Sequence, residues 1–144
     1  MEVTQRSQRR QLAQMSSAQA ADWLLSTYPI ESPDWGEGLF LIPHRSWKKS
    51  DQLRLARHYL QKVPYASQRG YQVFASFMSV ASLLGCIREQ LPLNHPDLEL
   101  LLYHLQPTLA AMAKHGKDAE RVAEFLGELK GQGAAPSSMN SSSL

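Results

Sequence analysis

Apolar residues recur along this chain mostly at the three- and four-residue spacing of helices. Residues 5–15 predict a polar helix whose only apolar edge is Leu12 and Met15. Ala21, Leu24, Leu25 and Tyr28 predict a second helix over 18–28, with Ser16 or Ser17 as its N-cap and Pro29 as its stop. Leu53, Ala56 and Leu60, widened by Leu55 and Tyr59, form the stripe of a helix over 47–62. Ser46 or Ser50 is its expected cap, and it ends ahead of Pro64 because proline disfavours helical geometry in the residue before it. Asn94 and Pro96 start a helix expected to run to Gly116, a residue suited to a left-handed C′ position. Pro107 must kink or split it. The last helix, capped by Asp118 and ended by Gly131, turns Val122, Phe125, Leu126 and Leu129 inward and Glu120, Glu124 and Glu128 outward.

One stretch breaks the alternation. GYQVFASFMSVASLLGCI, residues 70–87, carries no charge. A membrane-spanning helix needs about 20 predominantly apolar residues. This run includes Gln72, Ser76, Ser79 and Ser82, and Arg88 and Glu89 follow it directly. The segment 98–113 offers no second span, being broken by Glu99, His104, Gln106 and Pro107. The run predicts two short central helices, near 70–78 and 80–91, with Ser79 capping the second and both sheathed by the amphipathic ones. Phe74, Phe77 and Met78 lining an open groove is the minority variant.

Three prolines and two glycines rule out a regular helix over 29–46 (PIESPDWGEGLFLIPHRS). Leu39–Ile42 is expected there as a short extended segment, and Trp35 and Trp47 as the residues that pin the loop. The end of the chain, GQGAAPSSMNSSSL, has too little apolar surface to offset its ordering entropy and is expected to be disordered. These elements predict an all-α, single-domain helical bundle of about five to seven helices with an irregular Pro/Gly loop at 29–46. A polar arm would occupy 1–15, the helical domain 16–130 and the tail 131–144.

Composition changes this picture little. A chain of 144 residues buries enough surface to fold without disulfides or metals. The lone cysteine, Cys86, lies in the apolar run and is expected to act as a small buried hydrophobe. MEVTQRSQRRQLAQ lacks the apolar core of a secretory signal, so a cytoplasmic protein is expected, with no membrane partner. The net charge of +2 is too small to imply nucleic acid. Its distribution is less even: residues 44–62 hold Arg45, Lys48, Lys49, Arg54, Arg57 and Lys62 against Asp51 alone.

No established catalytic or metal motif is present. His44, His58, His95, His104 and His115 form no i, i+4 pair, so no metal site or cofactor is expected. His44 and His58 meeting across a turn with Asp51 would be an acid–base set, the third-ranked reading. Gly36 and Gly38 in DWGEGLF lack the Lys-Ser/Thr of a phosphate loop. The order of helices 47–62 and 70–78 suits a helix-turn-helix, but the connection is too long and the second helix has no charge with which to read bases. Asp34, Trp35 and Glu37 in the loop, and Lys48, Lys49, Arg54 and Arg57 on the basic helix, are the candidate partner-binding residues.

WKKSDQLRLARHYLQKVPYASQRGYQVFASFMSV, residues 47–80, resembles small helical immunity proteins of bacterial toxin–immunity systems, including those that guard against contact-delivered nuclease toxins. The resemblance rests on texture: a basic-aromatic helix, a proline-containing turn, then an apolar Phe/Ser helix. It implies a cytoplasmic protein that binds a toxin domain and blocks its active site, and it carries over no catalytic residue. Nuclease-blocking proteins are commonly acidic, whereas this chain is slightly basic; acidic contacts would come from Glu31, Asp34 and Glu37, or from Glu120, Glu124 and Glu128. The expected function is therefore a non-enzymatic protein-binding module, with toxin neutralisation as its concrete form. The alternative is a nucleic-acid-associated accessory protein using the basic face of 45–62.

Overall fold

The computed structural model describes the backbone of residues 2–142 and the side chains of residues 6–131. Among the described residues it is all-α, with eight helices and no strand. The helices are α1 (Glu2–Gln14), α2 (Ser17–Thr27), α3 (Trp35–Leu39), α4 (Lys49–Tyr59), α5 (Arg69–Ala75), α6 (Val80–Arg88), α7 (His95–Met112) and α8 (Gly116–Ser142), with 3-10 turns at Ile42–His44 and Leu60–Lys62. α4 packs on α2 and α6, α6 on α8, and α7 on α5 and α8. Their apolar side chains join in one core.

The charge-free run lies in that core. α5 and α6 divide it, and the Ser79 hydroxyl caps α6 by accepting the Ser82 N–H at 3.1 Å. Tyr71, Phe74, Leu83 and Ile87 are fully buried, and Cys86 is 2% exposed. No described helix is long and apolar enough to cross a membrane.

The caps show where sequence reading stops. Ser16 caps α2 in a reciprocal pair with Gln19. Ser17, the next residue, serves a different helix. Its hydroxyl donates to Asp51 Oδ2 at 2.6 Å and accepts the Lys48 N–H at 3.0 Å. Lys48 is the N-cap residue of α4 and offers no side-chain cap, so neither Ser46 nor Ser50 plays the expected part. A serine from α2 thus bridges the N–H of the α4 cap residue to the carboxylate one turn on. Arg45 likewise serves the end of α1 from outside that helix: its Nη1 donates to the carbonyls of Leu12 and Met15, both at 2.8 Å, while its guanidinium lies 4.8 Å from the Trp47 ring. Orphan carbonyls at a helix end are suitable partners for a cation.

Three further elements differ from expectation. The loop 29–46 contains the short helix α3 and a 3-10 turn at Ile42–His44, so Leu39–Ile42 is not extended; Leu39, Leu41 and Ile42 turn inward from successive turns instead. α7 continues through Pro107 and ends at Met112, while Gly116, with φ +66°, opens α8. The backbone of α8 runs beyond Gly131; the expected tail over 131–144 falls almost wholly on residues whose side chains, or whole placement, lie outside the description.

Candidate functional site

The loop 29–46 is held as a rigid corner. Pro29 closes α2, the Ser32 hydroxyl accepts the Asp34 N–H at 3.1 Å, and α3 begins at Trp35. Gly38 lets α3 lie against the core, because a Cβ there would stand 2.5 Å from Tyr59 Oη and 2.6 Å from Tyr28 Cβ. The half-buried Trp35 stacks on Tyr65 with centroids 5.9 Å apart, and the Lys62 ammonium lies 5.6 Å from its ring. Tyr65 is fastened in turn: its hydroxyl donates to the Tyr59 carbonyl at 2.8 Å, and its N–H donates to Tyr71 Oη at 2.9 Å. Trp47 pins the other end by donating from Nε1 to the Ile42 carbonyl at 2.9 Å. Both tryptophans anchor the loop, as expected.

The carboxylates of this corner are Glu31, Asp34 and Glu37. Glu31 and Asp34 are exposed, Glu37 is half-buried, and none of the three enters an ion pair among the described residues. Glu37 borders a cleft of about 330 Å³, whose other walls bring together Arg9 from α1, Phe40, His44 and Arg69 from α5. The Arg69 guanidinium lies 4.8 Å from the Phe40 ring. Burial, and then the charge of Arg9, push the His44 imidazole below its ordinary range.

The basic face of 45–62 is largely engaged within the fold. Arg54 donates to Asp22 at 2.6 Å and to Asp51 at 3.3 Å, and Arg57 donates to both oxygens of Glu89 at 3.2 Å. Arg45 caps α1 and Lys62 covers Trp35. Lys48 and Lys49 are exposed and enter no ion pair among the described residues. The candidate residues thus fall into two groups: Asp34, Trp35 and Glu37 on the α3 corner, and Lys48, Lys49, Arg54 and Arg57 on α4 and its cap.

The acid–base set of the sequence is not assembled. His44 lines the cleft, Asp51 is held by Ser17 and Arg54, and His58 packs edge-on against Tyr59 at 4.5 Å. Among the described residues His58 Nε2 is buried without a hydrogen-bond partner, and burial lowers its imidazole below the ordinary range against the opposing pull of the Tyr28 backbone and the Glu31 charge. No cluster of three metal-ligating side chains occurs among the described residues.

Sequence reasoning missed two features. Arg9 and Arg69 share the cleft although 60 positions separate them, and no local signal joins them. Tyr103 was legible in principle. Leu98, Leu101, Leu105 and Leu109 take the buried stripe of α7, which leaves Leu100 and Tyr103 outside it. Compared with protein-family profiles, curated proteins and solved structures, the chain matches none.

Proposed function

We propose that this chain is a single-domain helical bundle acting as a non-enzymatic protein-binding module, most concretely an immunity protein whose partner is a toxin domain with a basic contact surface. One observation carries the reading: Glu31, Asp34 and Glu37 lie on or beside a corner locked by Trp35, Tyr65 and Gly38, and none of the three is ion-paired among the described residues. A contact surface ordered before binding avoids much of the entropy loss of association. Unpaired carboxylates speed encounter with a basic partner and set its orientation. Arg54 and Arg57 are paired with Asp22 and Glu89, so the 45–62 face offers less free positive charge than its sequence suggests. Contact with nucleic acid through 45–62 would rest chiefly on Lys48 and Lys49.

The test is recovery of a stoichiometric partner from the native host, followed by titration of that purified partner against variants. Asp34→Asn with Glu37→Gln is expected to weaken binding at least tenfold, with the larger loss at low salt. Undiminished binding by this pair, or binding abolished by Lys48→Ala with Lys49→Ala instead, would move the site to α4.

A further inference from the structure

The cleft on the α3 corner gathers charges that the fold itself does not pair. Its volume of about 330 Å³ lies at the small end of ligand sites, which run from about 300 to 1,000 Å³. Three helices build it. α1 brings Arg9, α3 brings Glu37 and α5 brings Arg69, while Phe40, Leu41 and His44 come from the chain that follows α3. Neither with one another nor elsewhere among the described residues do Arg9, Glu37 and Arg69 form an ion pair. Arg69 is nonetheless oriented, because its guanidinium lies 4.8 Å from the Phe40 ring. A guanidinium stacked on a ring keeps its N–H donors in its own plane, open to an acceptor at its edge. Burial and the Arg9 charge hold the His44 imidazole below its ordinary range, so at neutral pH it adds no third positive charge.

We infer that this cleft binds a small zwitterion, an α-amino acid with an apolar side chain, its carboxylate on Arg9 and Arg69, its ammonium on Glu37 and its side chain against Phe40 and Leu41. The charges select this class. A simple anion such as phosphate would meet the two arginines but also the Glu37 carboxylate. An amine alone would meet Glu37 but also the two arginines. A molecule that carries both charges on one carbon satisfies both signs within a space this small. Arginine grips a carboxylate through paired N–H donors. Phe40 and Leu41 supply the apolar surface on which ligand sites depend for affinity. Glu37 is shared with the proposed partner surface, but the inference does not rest on that reading. Its test contains no protein partner, so either can fail alone.

Isothermal titration calorimetry of the full chain with L-leucine and with L-phenylalanine is the test. A dissociation constant on the order of 100 µM is expected for a ligand of about a dozen non-hydrogen atoms. Of the tighter amino acid, the N-acetyl form lacks the ammonium and the amide lacks the carboxylate, and each should bind at least tenfold more weakly. Arg9→Gln and Arg69→Gln, both at exposed positions, should weaken the amino acid at least tenfold with an unchanged far-ultraviolet spectrum. Glu37→Gln should lower the amino acid to the affinity of its N-acetyl form and leave that form no weaker, a pattern that damage to the fold would not give. Absence of binding by both amino acids up to roughly a hundred times the expected constant overturns the inference. So does an N-acetyl form or inorganic phosphate that binds as tightly as the amino acid, or an Arg69→Gln chain that binds it undiminished.

Discussion

Replacing Ser17 by alanine removes one oxygen atom from the surface of α2 yet should damage α4. The Ser17 hydroxyl is 6% exposed as a residue and its acceptor Asp51 is 4% exposed, so solvent cannot replace the bond. Two interactions disappear together: the 2.6 Å bond to the carboxylate and the 3.0 Å bond from the Lys48 N–H. A hydrogen bond to a charged group contributes about 1.5–3 kcal/mol, and an ordinary one such as that from the Lys48 N–H about 1 kcal/mol. Asp51 keeps its 3.3 Å bond from Arg54, so its charge is not left alone and the loss stays near the sum of those two. The expected destabilisation is about 3 kcal/mol, or roughly a 10 °C fall in Tm for a chain of this size. Ser16→Ala, one position away at the exposed cap of α2, should cost only about 1 kcal/mol. Urea denaturation followed by circular dichroism gives both numbers. A double-mutant cycle with Asp51→Asn should show coupling of about 1.5 kcal/mol or more. If Ser17→Ala costs no more than Ser16→Ala, or the cycle is additive, the proposed bridge between helices does not hold α4 in place.

Three other outcomes follow from the packing. Gly38→Ala and Gly70→Ala, whose new methyl groups would press on Tyr28 and Tyr59 and on the Tyr65 ring respectively, should each lose about 1–3 kcal/mol by overpacking, while Gly36→Ala meets nothing within 4 Å and should be neutral or stabilising in the same denaturation assay. Thr108 Oγ1 is buried without a partner, so Thr108→Val should raise stability by about 1 kcal/mol, read as a rise in Tm of roughly 3 °C. Burial raises Tyr59 and Tyr65 above the ordinary phenol range and Tyr71 to about 12. The folded state then holds protons that the unfolded chain releases from about pH 10 upward, so stability is intact below that pH and falls as pH rises toward the folded values; phenolate absorbance from these rings should appear together with unfolding.

Much of the architecture was legible because it is local. Helical spacing located the principal helices, and Ser79 and Asn94 announced caps that the structure contains, the latter accepting the Asp97 N–H at 2.9 Å. The run 70–87 read correctly as core, because its serines and its length argue against a span and two short helices bury it. The α3 corner was legible only in outline. Prolines and glycines marked it as irregular, and its tryptophans as anchors, but a five-residue helix has too few turns to show a period.

What the chain determines by itself is which residues want to be helical and which faces want to leave water, since propensity, capping and periodicity act over a few neighbouring positions. Which charges remain available to a partner was decided by tertiary structure alone. Arg54 and Arg57 looked like a free basic face until Asp22 and Glu89, each 32 positions away, were folded against them. Ser17 looked like a cap for its own helix until Asp51 arrived beside it. Electrostatic pairing and capping depend on distances of a few ångströms between groups remote in sequence, and only the packed core sets those distances.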